Sequence, residues 1–203
     1  MVSIATTPRE RALPGVTQEI STNEKASSTA FSHESLVHPD ARSVLESIAH
    51  CDIVHFACHR TSDALDQFNS CIVLQHGLSD ATTVDPLSVQ RISETNLGRA
   101  SIAYLSACST AENRATQLID EVIHSASGFQ VAGFGHVVAA MCPSVDAVCV
   151  EMATGFYEQL HGGLGGQEAD RSVAEAVHEA TVQVRSRLRR VPLSWAPYIH
   201  FGA

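Results

Sequence analysis

The chain has 203 residues, enough for one sizeable core, and its 44% hydrophobic and 17% charged content is that of a folded globular protein, not a disordered or fibrous one. A formal charge of −9 argues against non-specific nucleic-acid binding, which needs a basic surface, and the 11 histidines soften that charge in mild acid without reversing it. The six cysteines, at 51, 58, 71, 108, 142 and 149, form no CxxC pair and no framework spacing, which predicts a reducing, cytoplasmic compartment.

The start, MVSIATTPRERALPG, has no basic stretch followed by an apolar core, so no secretory signal is expected. No apolar run approaches the ~20 residues of a membrane span. VSIATT predicts a short strand, ended by Pro8 and by the turn-like LPGV at Leu13 to Val16. TQEI opens a short helix, and residues 21–30, STNEKASSTA, read as a weak polar linker. Asp40 is a natural N-cap for ARSVLESIAH, where Ala41, Val44, Leu45 and Ile48 recur at helical spacing. Ile53 to Ala57 is then a continuous apolar run of the buried-strand type.

A second short strand is expected at CIVLQ, with His76-Gly77 as its turn. Pro86 and Gly98 bracket a predicted helix in PLSVQRISETNLGRA, following the usual asymmetry of helix ends. SIAYLSAC is another apolar strand, followed by a helix from about Ala115 to Val131. HVVAAM is a further strand, stopped by Pro143. Two amphipathic helices are expected at Val145 to Leu160 and Glu168 to Arg189, and WAPYIHFGA closes the chain as a strand. Strands alternating with helices of this length predict a single α/β domain, residues 1–203, with a mostly parallel central sheet and helices on both faces.

In such a sheet chemistry collects beyond the carboxyl ends of the strands. Two of those ends carry reactive groups: Ile53–Ala57 runs out at Cys58-His59, and Ile102–Ser106 at Ala107-Cys108. If the two strands are parallel neighbours, His59 and Cys108 emerge at one edge. A thiol with a pKa of ~8.5 is mostly protonated at neutral pH, and a histidine in hydrogen-bond reach supplies the base it needs. His55 and His59 lie four apart in a strand, ~13 Å along it, too far to share one metal ion. His55 is read as a buried, sheet-supporting residue, and Cys51, Cys58, Cys71 and Cys149 as core thiols.

Together CDIVHFACH, AYLSACSTA, LIDEVIHSASGFQVAGFGHVV and WAPYIHFG, with LPGVTQEI near the start, resemble a CHAT domain, a caspase-like cysteine peptidase module related to separase. The blocks run in the same order from about residue 2 to 202. The resemblance implies a caspase-like fold, with His59 as base and Cys108 as nucleophile, and peptide-bond hydrolysis through an acyl-enzyme. It implies a protein or peptide substrate, and its chemistry calls for no metal or organic cofactor; from the charge and the lack of a long apolar run, no nucleic-acid or membrane partner is expected. Two departures stand out: Arg60 occupies the position where the family pattern has glycine, and Met141-Cys142 stands where a tryptophan is usual. They motivate an alternative, a catalytically impaired interaction or regulatory module with a protein partner.

Arg60, Asp66 and Asp120 are the candidate substrate-binding residues. Asp63 and Asp66 follow His59 closely, and Asp120-Glu121 opens the DEVIHSAS segment, where an acid would orient His59 or receive a basic side chain. A solvated or sheet-capping pair is the plainer reading of Asp120-Glu121, and Asp146 reads as a helix N-terminal residue. RSRLRR at 185–190 is a basic patch at a helix end. GGLGG at 162–166 lacks the Lys-Ser/Thr of a phosphate loop and reads as a connector.

Overall fold

The computed structural model of the chain describes residues 1–4, 13–27, 31–61, 69–75, 84–95, 97, 100–106, 126–141, 145–160 and 167–202. In chain order these form β1 (Val2–Ser3), α1 (Gly15–Ser27), β2 (Leu36–Val37), α2 (Ala41–Ile48), β3 (Ile53–Ala57) and β4 (Arg60–Thr61). Next come β5 (Cys71–Gln75), β6 (Val84–Ser88), α3 (Val89–Ser93) and β7 (Ile102–Leu105). Helical residues 126–131 lead to β8 (His136–Ala140), then α4 (Asp146–Gln159), α5 (Gln167–Arg187) and β9 (Tyr198–Gly202).

Six strands make the central sheet in the order β2-β1-β3-β7-β8-β9. All pair in parallel except β9, which runs antiparallel to β8. Side chains alternate between two buried faces, as the period of a strand requires. Val54, Phe56, Ala103, Leu105, Val137 and Ala139 point to the face covered by α2 and residues 126–134. Ile102, Tyr104, Val138 and Ala140 point to the face covered by α4 and α5, and α1 packs against α4. Both faces are therefore dry, which explains why β3, β7 and β8 read as unbroken apolar runs. The result is an α/β architecture with a mostly parallel sheet between helices, consistent with the caspase-like fold expected from the resemblance.

A second, antiparallel sheet, β4-β5-β6, sits beside the first and buries Ile72, Leu74 and Leu87 in the same cluster as Phe56 and Leu105. CIVLQ is thus a strand as expected, but it belongs to this smaller sheet.

Local signals account for the starts of α2 and α3. Asp40 caps α2, its carboxylate accepting from Ser43 N at 2.8 Å, and Ala41, Val44 and Ile48 form the buried stripe. On α5, Val173, Ala176, Val177, Ala180 and Val184 make the stripe that meets α4, where Gly155 lets the helices approach: a Cβ there would lie 3.2 Å from that of Ala180. Two expectations are corrected. Residues 21–27 are not linker but the last two turns of α1, held because Ile20 and the fully buried Asn23 face the protein interior. Pro86 does not start a helix; it lies in β6 opposite Val73, and the helix begins at Val89 under a Ser88 cap that accepts from Arg91 N at 3.2 Å. Since β6 is an edge strand, proline's missing N–H costs no ladder bond. Among the described residues, no helix is long and apolar enough to cross a membrane.

Candidate functional site

β3 and β7 are adjacent and parallel, with Ile53 opposite Ile102 and Phe56 opposite Leu105. The ladder continues past the end of β7, where Ser106 N donates to Phe56 O at 3.0 Å, and on the other side Ile4 N donates to Ala57 O at 3.1 Å. β3 is thereby clamped along its length, and it delivers Cys58 and His59 to the carboxyl edge. Cys58 turns into the core. His59 is 1% exposed and sits at the seam between the two sheets, its carbonyl accepting from Val73 N at 2.8 Å.

That bond fixes the residue that follows. In an antiparallel ladder hydrogen-bonded and non-hydrogen-bonded pairs alternate. His59 and Val73 form a bonded pair, so Arg60 opposite Ile72 is a non-bonded one, and its N–H points away from β5. Arg60 is an ordinary strand residue: the only non-glycine with positive φ among the described residues is His38. Of the other residues singled out from the sequence, Cys108, Asp63, Asp66, Asp120 and Cys142 lie outside the described residues.

Between the carboxyl ends of β3 and β7 and the start of α1 lies a cavity of about 20 Å³, room for little more than one water, lined by Glu19, Cys58, Ser106, Asp146 and Cys149 among others. Asp146 opens α4, as expected, and its Oδ2 accepts from Gly15 N at 3.3 Å. Gly15 permits this approach, since a Cβ there would be 2.9 Å from Asp146 Cβ. A larger cavity of about 450 Å³ opens at the opposite, amino edge of the sheet, beside Val44, Ile48, Cys51 and Ile53, away from the strand ends that carry the reactive groups.

Sequence reasoning missed a buried polar chain on the sheet face beneath α1 and α4. His55 Nε2 lies 3.0 Å from Glu19 Oε1, and Nδ1 lies 3.1 Å from the Tyr157 hydroxyl. The imidazole stacks on Tyr104 at 4.8 Å between centroids. Burial pushes the Tyr157 phenol far up from its ordinary value, and the Glu19 carboxylate adds to the effect. A protonated phenol donating to Nδ1, with Nε2–H donating to Glu19, satisfies every group with one neutral tautomer. Both nitrogens of His55 are thus engaged by protein groups. Among the described residues, no group of three His, Cys, Asp or Glu side chains is placed to hold a metal ion. The sequence did carry a signal: Glu19 falls on the same helical stripe as Val16, Ile20 and Asn23, all buried.

The family model described as CHAT domain matches residues 4–203. No curated protein matches the chain.

Proposed function

Because the chain belongs to the CHAT-domain family, whose members are caspase-like, peptidase-related domains, we propose that it is a cysteine peptidase with Cys108 as nucleophile and His59 as general base. The observation that carries the reading is the β3–β7 register. From Ile53 to Phe56 each β3 residue faces the β7 residue 49 positions later, and 49 is also the interval from His59 to Cys108. A parallel ladder with that offset favours a histidine and a cysteine leaving the sheet side by side.

In this mechanism His59 takes the thiol proton as sulfur attacks the scissile carbonyl. The tetrahedral intermediate collapses with loss of the C–N bond, and the imidazolium passes its proton to the leaving amine. Water, deprotonated by the same imidazole, then hydrolyses the thioester and restores the thiol. The outward N–H of Arg60 is available to the oxyanion, since a backbone donor needs no particular side chain.

One observation favours the alternative, a non-catalytic interaction module: His59 is 1% exposed, so substrate reaches it only if covering residues move. A cysteine-directed covalent probe separates the two. Wild type should label at Cys108, and His59→Ala should label at least tenfold more slowly, because thiolate formation loses its base. Equal rates in both proteins would remove the peptidase reading.

A further inference from the structure

The carboxyl edge carries a second feature, on the far side of the sheet from His59. β9 runs antiparallel to β8 with Tyr198 opposite Ala140, and Met141 N donates to Pro197 O at 2.9 Å. The segment 188–197 between α5 and β9 therefore lies at the same edge as His59. Four of the chain's 13 lysine and arginine residues lie in this segment or in the last turn of α5 just before it: Arg185, Arg187, Arg189 and Arg190. On a chain of net charge −9 this is a local reversal of sign.

The four arginines are not equivalent. Arg187 pairs with Glu151 on α4, and the Arg185 guanidinium lies 5.4 Å from the centre of the Trp195 ring, which itself donates to Leu188 O at 3.1 Å. These contacts stiffen the tip. Among the described residues Arg189 and Arg190 have no ion-pair partner, and both are exposed. Beside them Val191 is 51% and Leu193 74% exposed. Two exposed arginines without an ion-pair partner among the described residues, beside an exposed aliphatic pair on a tip held by the Arg187–Glu151 and Arg185–Trp195 contacts, make a surface suited to a charged polypeptide with one apolar side chain.

We infer that this tip docks an acidic stretch of the substrate polypeptide, with its guanidinium groups on Asp or Glu side chains and Leu193 under an apolar one. The inference rests on the peptidase reading of the same edge. From β3 across β7 and β8 to β9 is three strand spacings, roughly 14 Å, which an extended chain covers in about five residues. The acidic stretch accordingly lies about five to eight residues from the cleaved bond. The sign of the whole molecule selects this occupant: a flat anionic membrane or a nucleic acid would bring its charge against the acidic remainder of the surface, whereas a narrow strand meets the tip alone.

The test uses the full chain with Cys108→Ala, so that binding is read without turnover. The probe is a fluorescein-labelled peptide alternating Glu and Asp around one leucine, followed by anisotropy. Binding is expected at low salt and should weaken strongly at about 1 M salt, where the screening length falls to roughly 3 Å. Arg189→Glu/Arg190→Glu should bind about tenfold or more weakly, and Arg189→Lys/Arg190→Lys should retain most of the affinity. Unchanged binding on charge reversal, equal binding of a Gln/Asn version of the peptide, or capture by phosphatidylserine vesicles without peptide binding would each overturn the inference. Failure of the two readings is distinguishable. Labelling of Cys108 that ignores His59 sinks the peptidase and leaves tip binding measurable, whereas a His59-dependent thiol with no peptide binding sinks the tip alone.

Discussion

Glu19 of α1 and His55 of β3 meet beneath the helical face of the sheet, carboxylate to imidazole at 3.0 Å, with 3% and 1% of their surfaces exposed. The pair ties α1 to the strand that ends at His59. Removing the carboxylate leaves a buried ring N–H without an acceptor, which costs about 1–3 kcal/mol. Glu19→Ala should therefore lower unfolding stability by that amount in urea. Glu19→Gln, whose amide oxygen still accepts from Nε2–H, should cost less. Equal losses in the two variants would mean that the carboxylate's charge, and not the hydrogen bond it accepts, holds the pair.

Tyr157 closes the same chain and makes stability depend on alkaline pH. Burial, then the Glu19 carboxylate, raises its pKa in the folded state above the ordinary value of about 10. Between the two values the unfolded chain has lost a proton that the folded chain keeps, so stability is full below about pH 10 and falls as pH rises above it. Tyr157→Phe removes this group. It should cost about 1 kcal/mol at neutral pH through the lost bond to Nδ1, and it should flatten the alkaline fall. Urea midpoints measured from pH 8 to 11 check the prediction; parallel curves for the two proteins would contradict it.

At the start of α2 two carboxylates satisfy otherwise orphaned donors. Asp40 accepts from Ser43 N at 2.8 Å, and Asp85 of β6 accepts from Ala41 N at 2.7 Å. Asp40→Ala should cost about 1 kcal/mol, and Asp40→Asn a few tenths, as the capping oxygen is kept. Thermal unfolding distinguishes them; a loss as large in Asp40→Asn would show that charge, not the cap, carries the effect.

The strands of the central sheet were legible because both of its faces are covered, so Ile53–Ala57, Ile102–Leu105 and His136–Ala140 had to be apolar apart from His55 and His136. The Asp40 cap was legible for the opposite reason, since its bonds are local. What the sequence hid is what long-range packing decides. STNEKAS is too polar to announce a helix, yet α4 on the other side of Asn23 completes one. Pro86 looked like a helix start because nothing local reveals that it faces Val73 on an edge strand. His55 was expected to be buried, but its partners come from positions 36 residues before and 102 after it, which no local pattern connects. Of the candidate site, His59 and the backbone of Arg60 have a place in the fold, while Cys108, Asp66 and Asp120 lie outside the described residues.

Arg60 stands where the family pattern has glycine, and the fold gives the substitution a specific expected consequence. A glycine is favoured where φ is positive, and Arg60 is not such a position, so Arg60→Gly relieves no strain. The change should instead loosen β4, destabilising the chain by about 0.5–1 kcal/mol. The backbone N–H that points away from β5 is present in either residue, so a donor to the oxyanion is neither gained nor lost. The rate of thiol labelling at Cys108 should then stay within about twofold of wild type, because the thiol and its base are unchanged. A rise of tenfold or more in Arg60→Gly would show that the arginine side chain obstructs the cleft. The residue would then act as a block on the site and not as a silent replacement.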